Sequence, residues 1–341
     1  MSADPSTGRP IPPAWKVALG VVAAALLVVG VGALIARAAG FDEVRDALAE
    51  ADTRWFLICF VAQVAALTGY AAVVREAFRW SDGPDPGFGL SAHVMLASIG
   101  ATRVIAAGGA GALAATYWCF RRASFSQREA AVRVLGFNTL FYVAFGAGAW
   151  VAAVLIALGV LGDAPVALTT PWLAGIPFCF AAAAFVTQPG RVESLTASGG
   201  SLVHRGVSYA IAGTEWVRKV LPRRTGARSL SWSLLYWVGN VACLWAALSS
   251  IGESLPLPEL VLAFATGHVA TILPLPLGGV GGVDASMTYA LTVVGVALAP
   301  ALVAVAVYRL FAFWAPTIPA LVALALLPRA GRELERAATR A

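Results

Sequence analysis

Apolar residues in this chain run in long blocks and do not alternate with polar ones. Six blocks, near residues 16–37, 55–74, 135–161, 168–187, 231–251 and 300–327, are each long enough to form a membrane-spanning helix, for which about 20 residues suffice. Two further apolar regions, 88–120 and 258–298, are interrupted at their middles by glycines, AAGGAGA from Ala106 and LPLPLGGVGG from Leu273. Each is too long for one simple helix and fits either a re-entrant hairpin or two short crossing helices. In both cases the chain leaves on the side it entered. The absence of period-two alternation excludes a barrel, the other way to satisfy backbone hydrogen bonds in lipid. The predicted fold class is therefore all-α: a polytopic helical membrane protein with six clear spans and two Gly/Pro-interrupted hairpins.

Composition sharpens this picture. The 341-residue chain is 59% hydrophobic and 12% charged, far outside the range of soluble domains. Its formal charge of +6 lies in the gaps between apolar blocks, where it reads as a topology signal and argues against nucleic acid as a partner. With the N-terminus in the cytoplasm and both interrupted regions returning to their own side, segments 1–16, 75–87, 121–134, 188–230 and 328–341 fall inside. They hold 19 of the 24 Lys and Arg residues. The positive-inside rule thus predicts a multi-pass protein of the plasma (cytoplasmic) membrane with both termini cytoplasmic. Cys59, Cys119, Cys179 and Cys243 lie in or at the ends of apolar runs, without CxxC spacing, and read as small apolar fillers.

This topology makes the first interrupted region open from the cytoplasmic side and the second from the outer side. Gly108-Gly109-Ala110-Gly111 then superposes on Gly278-Gly279-Val280-Gly281 at an offset of 170 residues, about half the chain. The arrangement predicts a single membrane domain of two inverted halves, about 15–187 and 231–328, joined by a basic amphipathic loop, 188–230. Inverted repeats with broken helices in corresponding positions point to a transporter with a midplane site. Glycines alone are explained by close helix packing. Pro274-Leu275-Pro276 is not, since each proline removes a donor and disfavours helix in the residue before it. Irregular backbone at that depth persists only when buried in protein or lining a watery cavity.

Ionisable residues at depth are the candidates for chemistry. Arg103 precedes the first glycine element, Asp284 follows the second, and Arg309 interrupts the last span. At the centre of a lipid-facing helix each costs roughly 2.5–3.5 kcal/mol or more, so each is expected to face the protein interior. One reading is a structural Asp–Arg pair joining two helices. The other places an anionic headgroup on Arg103 and Arg309, with Asp284 orienting an arginine or binding a cationic substituent. Guanidinium suits phosphate because it offers a planar fork of donors. His93 and His268, at the flanks of the interrupted regions, read as satisfied polar contacts.

Outside the spans, residues 41–54 read as a short outer amphipathic helix and 203–221 as an interfacial one, followed by the basic run RKVLPRRTGAR. Ser126 and Glu129 have capping-box spacing ahead of the 135–161 span. There is no nucleotide- or metal-binding motif, and no cofactor is expected.

The segments GGAGALAATYWCFRRASFSQREAAVRVL, PLPLGGVGGVDASMTYAL and VYRLFAFWAPTIPAL resemble the flippase-like integral membrane proteins related to the transmembrane region of lysylphosphatidylglycerol synthase. The resemblance spans about residues 15–328. Its most specific part is the stretch from Pro276 to Asp284 with the later Tyr308-Arg309. In that family the acid is usually glutamate; Asp284 keeps the charge with a shorter reach. The resemblance implies movement of an anionic, aminoacylated or polyprenyl-linked lipid between leaflets. It does not imply synthesis, since the soluble aminoacyl-transferase domain of such synthases has no room after the last span. The expected substrate-binding residues are Arg103, Gly108, Gly109, Gly111, Pro274, Pro276, Gly278, Gly279, Gly281, Asp284, Tyr308 and Arg309. The expected partners are membrane lipids and, in a homo-oligomer, further copies of the chain. The alternative is a membrane enzyme or enzyme partner acting on lipid headgroups or lipid-linked sugars, with Asp284 as its acid or base.

Overall fold

The computed structural model describes Gly30 and residues 41–104, 109–188, 202–272 and 281–340. The expected first span at 16–37 lies outside them, as do Gly108, Pro274, Pro276, Gly278 and Gly279. Every regular element among the described residues is helical. In chain order they are α1 (Phe41–Ala49), α2 (Arg54–Arg79), α3 (Gly87–Val104), α4 (Ala110–Arg122), α5 (Gln127–Ala157) and α6 (Val166–Val186). The second half holds α7 (Leu202–Val220), α8 (Arg224–Ser250), α9 (Leu257–Val269), α10 (Gly282–Val293), α11 (Leu298–Ala325) and α12 (Leu327–Ala338). Five of these, α2, α5, α6, α8 and α11, are long and apolar enough to cross a membrane. The protein is a multi-pass helical membrane protein.

Each interrupted region is a pair of short helices packed on each other, α3 with α4 and α9 with α10. The helices recur at the spacing of the glycine elements: α2 and α8 start at Arg54 and Arg224, and α3 and α9 at Gly87 and Leu257, both 170 residues apart. Hairpin α3–α4 packs against α11, and hairpin α9–α10 packs against α5, so each half closes over the other's hairpin. α2 and α8 form the most extensive helix–helix contact among the described residues and run antiparallel. At one end the Asp52 N–H donates to the Ser250 carbonyl at 2.7 Å. At the other Arg228 meets Glu76 at 3.2 Å.

Small residues make this crossing possible. A Cβ on Gly69 would lie 2.6 Å from the Trp232 carbonyl oxygen, and one on Gly239 would lie 2.6 Å from that of Ala62. The two glycines are themselves 170 residues apart, so the crossing repeats the same small-residue contact from both sides.

Basic residues gather at the end where hairpin α3–α4 opens. Arg75 and Arg79 both reach Asp85, at 2.7 and 3.5 Å, and Arg79 and Arg228 share the buried Glu76. α12 docks there through Leu327, Ala330 and Leu334, with Arg122 donating to Glu335 at 2.6 Å. α7 lies along α5, where Trp216 stacks on Trp80. The opposite end carries the acidic α1 and the Glu259 carboxylate, which accepts the Asp163 N–H.

Ser126 caps α5 as its spacing predicts: its hydroxyl accepts from the Glu129 N–H at 3.3 Å, and the Glu129 carboxylate accepts the Ser126 N–H at 2.9 Å. Cys59, Cys119 and Cys243 are buried fillers, whereas Cys179 is exposed on α6, which packs mainly on α5 and presents most of its surface outward. The expectation of a filler is corrected for Cys179, whose side chain is exposed among the described residues.

The Arg75 hydrogen bond, with a further bond from the Gly87 N–H, holds the Asp85 carboxyl down at about 2, against an ordinary value of 3.8. A carboxylate with a depressed folded-state pKa stabilises fully above its unfolded pKa and loses that contribution as pH falls through the folded one. Because Asp85 is partly exposed, the effect is within about 1 kcal/mol. Thermal melting of Asp85→Asn is expected to fall below wild type at pH 6, with the gap narrowing below about pH 4 and closing only below about pH 2.

Candidate functional site

The broken ends of both hairpins meet in the middle of the bundle around a cavity of about 550 Å³. Arg103 closes the last turn of α3, and Gly109, at φ +80°, opens α4 in a backbone region that favours glycine. Arg309 ends the first segment of α11. The next five residues, Leu310–Trp314, form a π-helical turn before α-helix resumes. Pro316 has no N–H with which to continue the i to i−4 ladder there, and such turns recur at functional sites.

The two arginines are held differently. Arg309 Nε forms an ion pair with Asp284 Oδ1 at 2.8 Å. Asp284 Oδ2 accepts the Gly281 N–H at 2.7 Å, the acid-to-cap half of a capping box at the start of α10. Asp284 sits three residues into the helix, so the short aspartate side chain reaches both partners. Arg103 makes no ion pair or hydrogen bond among the described residues, and its Nε is buried without an acceptor. Arg309 Nη2 is likewise buried without an acceptor. Both guanidinium groups lie against the Phe313 ring, 3.6 Å from its centroid for Arg103 and 4.2 Å for Arg309. An aromatic face stabilises a desolvated cation without consuming its N–H donors, which leaves those donors for a ligand.

Tyr308 lines the cavity with its hydroxyl donating to Asn240 at 3.1 Å. Gly111 is buried in the first turn of α4 and does not line it. Gly281 and Asp284 stand behind Arg309. Asp284 is thus paired with Arg309, and each of its two oxygens has a partner in the structure.

The remaining walls come from residues that the sequence reading did not select: Gln63 and Tyr70 on α2, Tyr142 on α5, and Tyr236 and Asn240 on α8. Each is an uncharged polar residue inside an apolar span. The only sequence signal was that polarity, which a bond to the helix's own backbone would explain equally well. His268 also lines the cavity, with Phe145, Trp237 and Phe264 around its ring at centroid distances of 5.5, 5.0 and 5.6 Å. His93 instead bonds the Ala323 carbonyl at 3.0 Å, joining α3 to α11 as a satisfied polar contact.

A second, more apolar groove of about 750 Å³ shares Tyr70, Gly109, Ala112 and Tyr142 with the cavity. It runs between α5, α6 and α7 to Arg218 and Leu221 at the basic end. Among the described residues, no group of three or more His, Cys, Asp or Glu side chains could hold a metal.

No curated protein matches the chain. A family model described as the lysylphosphatidylglycerol synthase TM region matches residues 17–320, a range that includes both hairpins, the cavity and every residue expected to bind substrate. The chain belongs to the lysylphosphatidylglycerol synthase TM-region family.

Proposed function

We propose that the protein translocates lipids, passing an anionic headgroup through the central cavity while the hydrocarbon chains stay in the membrane. The observation that carries this reading is the junction of two unlike spaces. A cavity with two arginines, each with a buried nitrogen that has no acceptor among the described residues, continues into an apolar groove that runs between helices to the basic end. A lipid has that same division between headgroup and chain, whereas a free metabolite needs no adjoining apolar groove.

Buried donors without acceptors cost about 1–3 kcal/mol each, more when charged, and a phosphate would satisfy them. The positive-inside rule puts the basic end, and the mouth of the groove, at the cytoplasmic leaflet of the plasma membrane. Toward the opposite end the rings of Phe145, Trp237 and Phe264 close over His268. No carboxylate lines the cavity among the described residues, which favours binding over acid–base chemistry on a headgroup.

The test is leaflet exchange of fluorescent phosphatidylglycerol in liposomes holding the purified full chain, read by a membrane-impermeant quencher. Exchange well above that of empty liposomes is expected. Arg103→Gln should lower it about 10- to 100-fold, the weight of a charge-assisted hydrogen bond. Exchange no faster than in empty liposomes would defeat the proposal, and release of a modified lipid or free headgroup would favour an enzyme.

A further inference from the structure

Resting on the reading of the cavity as a headgroup site, we infer that it selects a phosphodiester carrying one negative charge and an uncharged, hydroxylated substituent, and that it rejects cationic headgroups. The argument begins with a charge count. Arg103 and Arg309 are the only charged residues that line the cavity among the described ones. Asp284 is behind Arg309 with both oxygens engaged, so the site is one positive charge in excess.

In a desolvated site the charge that fits is the one that cancels the excess. A single phosphodiester does so. A phosphomonoester or diphosphate brings surplus negative charge, and an aminoacyl ester brings an ammonium that finds no free carboxylate. An ammonium buried without a partner is among the most costly groups to desolvate.

The rest of the wall is matched to hydroxyls. Gln63 Oε1 is buried without a donor, and Gln63 itself is only 5% exposed. Around it Tyr70, Tyr142 and Tyr236 present neutral hydroxyls on rigid rings. A glycerol or a hexose attached to the phosphodiester supplies the complementary groups.

The test is a binding titration with short-chain, water-soluble lipids on the purified full chain in detergent. The probes are dihexanoyl phosphatidylglycerol, its lysyl ester, dihexanoyl phosphatidate, and a short prenyl phosphodiester of glucose. Phosphatidylglycerol or the glucosyl prenyl phosphodiester is expected to bind at least about tenfold tighter than the lysyl ester and phosphatidate; whichever of the first two binds tighter identifies the source. Gln63→Glu, which places a carboxylate in the cavity, should reverse the order of phosphatidylglycerol and its lysyl ester. Arg103→Lys should keep most of the affinity that Arg103→Gln loses, a pair that remains informative if Gln63→Glu does not fold.

Binding of the lysyl ester or of phosphatidate as tightly as both neutral-substituted probes, or no binding by any probe, would overturn the inference. Selective binding without leaflet exchange would leave it standing and refute translocation instead.

Discussion

Replacing Arg309 by alanine is expected to remove lipid exchange and to destabilise the bundle together. The substitution leaves Asp284 with a buried, uncompensated charge. Breaking one side of a buried ion pair costs about 3–5 kcal/mol, and Arg309 is only 9% exposed. The loss falls where α10 meets α11, at the lip of the second break. The double change Asp284→Asn with Arg309→Gln separates the two consequences. It removes both charges, so thermal stability in detergent should return most of the way to wild type. Exchange should not return, because the cavity has lost a cation. Equal destabilisation in the single and double variants would show that the ion pair is not what Arg309 contributes to the fold.

The second large effect is expected at Gly69 and Gly239, each next in sequence to a cavity-lining residue, Tyr70 and Asn240. Leucine at either position would drive a side chain into the facing helix backbone, since even a Cβ would come within 2.6 Å of a carbonyl oxygen. Membrane helices associate chiefly through close packing, and overpacking costs about 1–3 kcal/mol even where neighbours can shift. Backbone cannot shift locally, so the upper end of that range or beyond is expected. Size-exclusion profiles and melting temperature in detergent would measure it. The two variants should behave alike, because the positions occupy corresponding places in α2 and α8. If Gly239→Leu is tolerated while Gly69→Leu is not, the two sides of the crossing are not equivalent.

Much of this architecture was legible in the sequence because lipid leaves few options. A span must be helical and about 20 residues long, and charge must keep to its ends, so block lengths and Lys/Arg counts located α2, α5, α6, α8 and α11. Gly109 and Gly281 marked where the hairpins break. Arg103, Asp284 and Arg309 stood out because a charge at depth is costly unless it faces protein. The sequence could not decide between a structural Asp–Arg pair and a ligand site, and the structure holds elements of both: Arg309 is paired with Asp284, while Arg103 has only a ring beneath it.

The uncharged wall stayed hidden for a physical reason. Gln63, Tyr70, Tyr142, Tyr236 and Asn240 come from three helices, and only the α2–α8 crossing brings them to one space. Gln63 and Tyr70 at i, i+7 and Tyr236 and Asn240 at i, i+4 do share helix faces, but without charge such a pair also fits a bond to the helix's own backbone, as Asn240 makes to the Tyr236 carbonyl. The crossing itself depends on Gly69 and Gly239, which in sequence resemble any other glycine in a membrane helix.

The π-helical turn after Arg309 also fixes how the protein tolerates changes in length. A π turn holds one residue more than the α turn it replaces, so α11 carries a surplus residue between its cavity-facing and hairpin-facing segments. Upstream, Tyr308 and Arg309 face the cavity; downstream, Ala320 packs on Gly100 and the Ala323 carbonyl meets His93. Deleting any one of residues 310–314 would remove the surplus residue, although Pro316 would still lack an N–H for the ladder. It would also turn one segment by about 100° relative to the other, so that only one set of contacts could be kept. The irregular turn acts as a phase shifter, holding the halves of one helix in two different rotational registers, and here a one-residue deletion would do more damage than most substitutions.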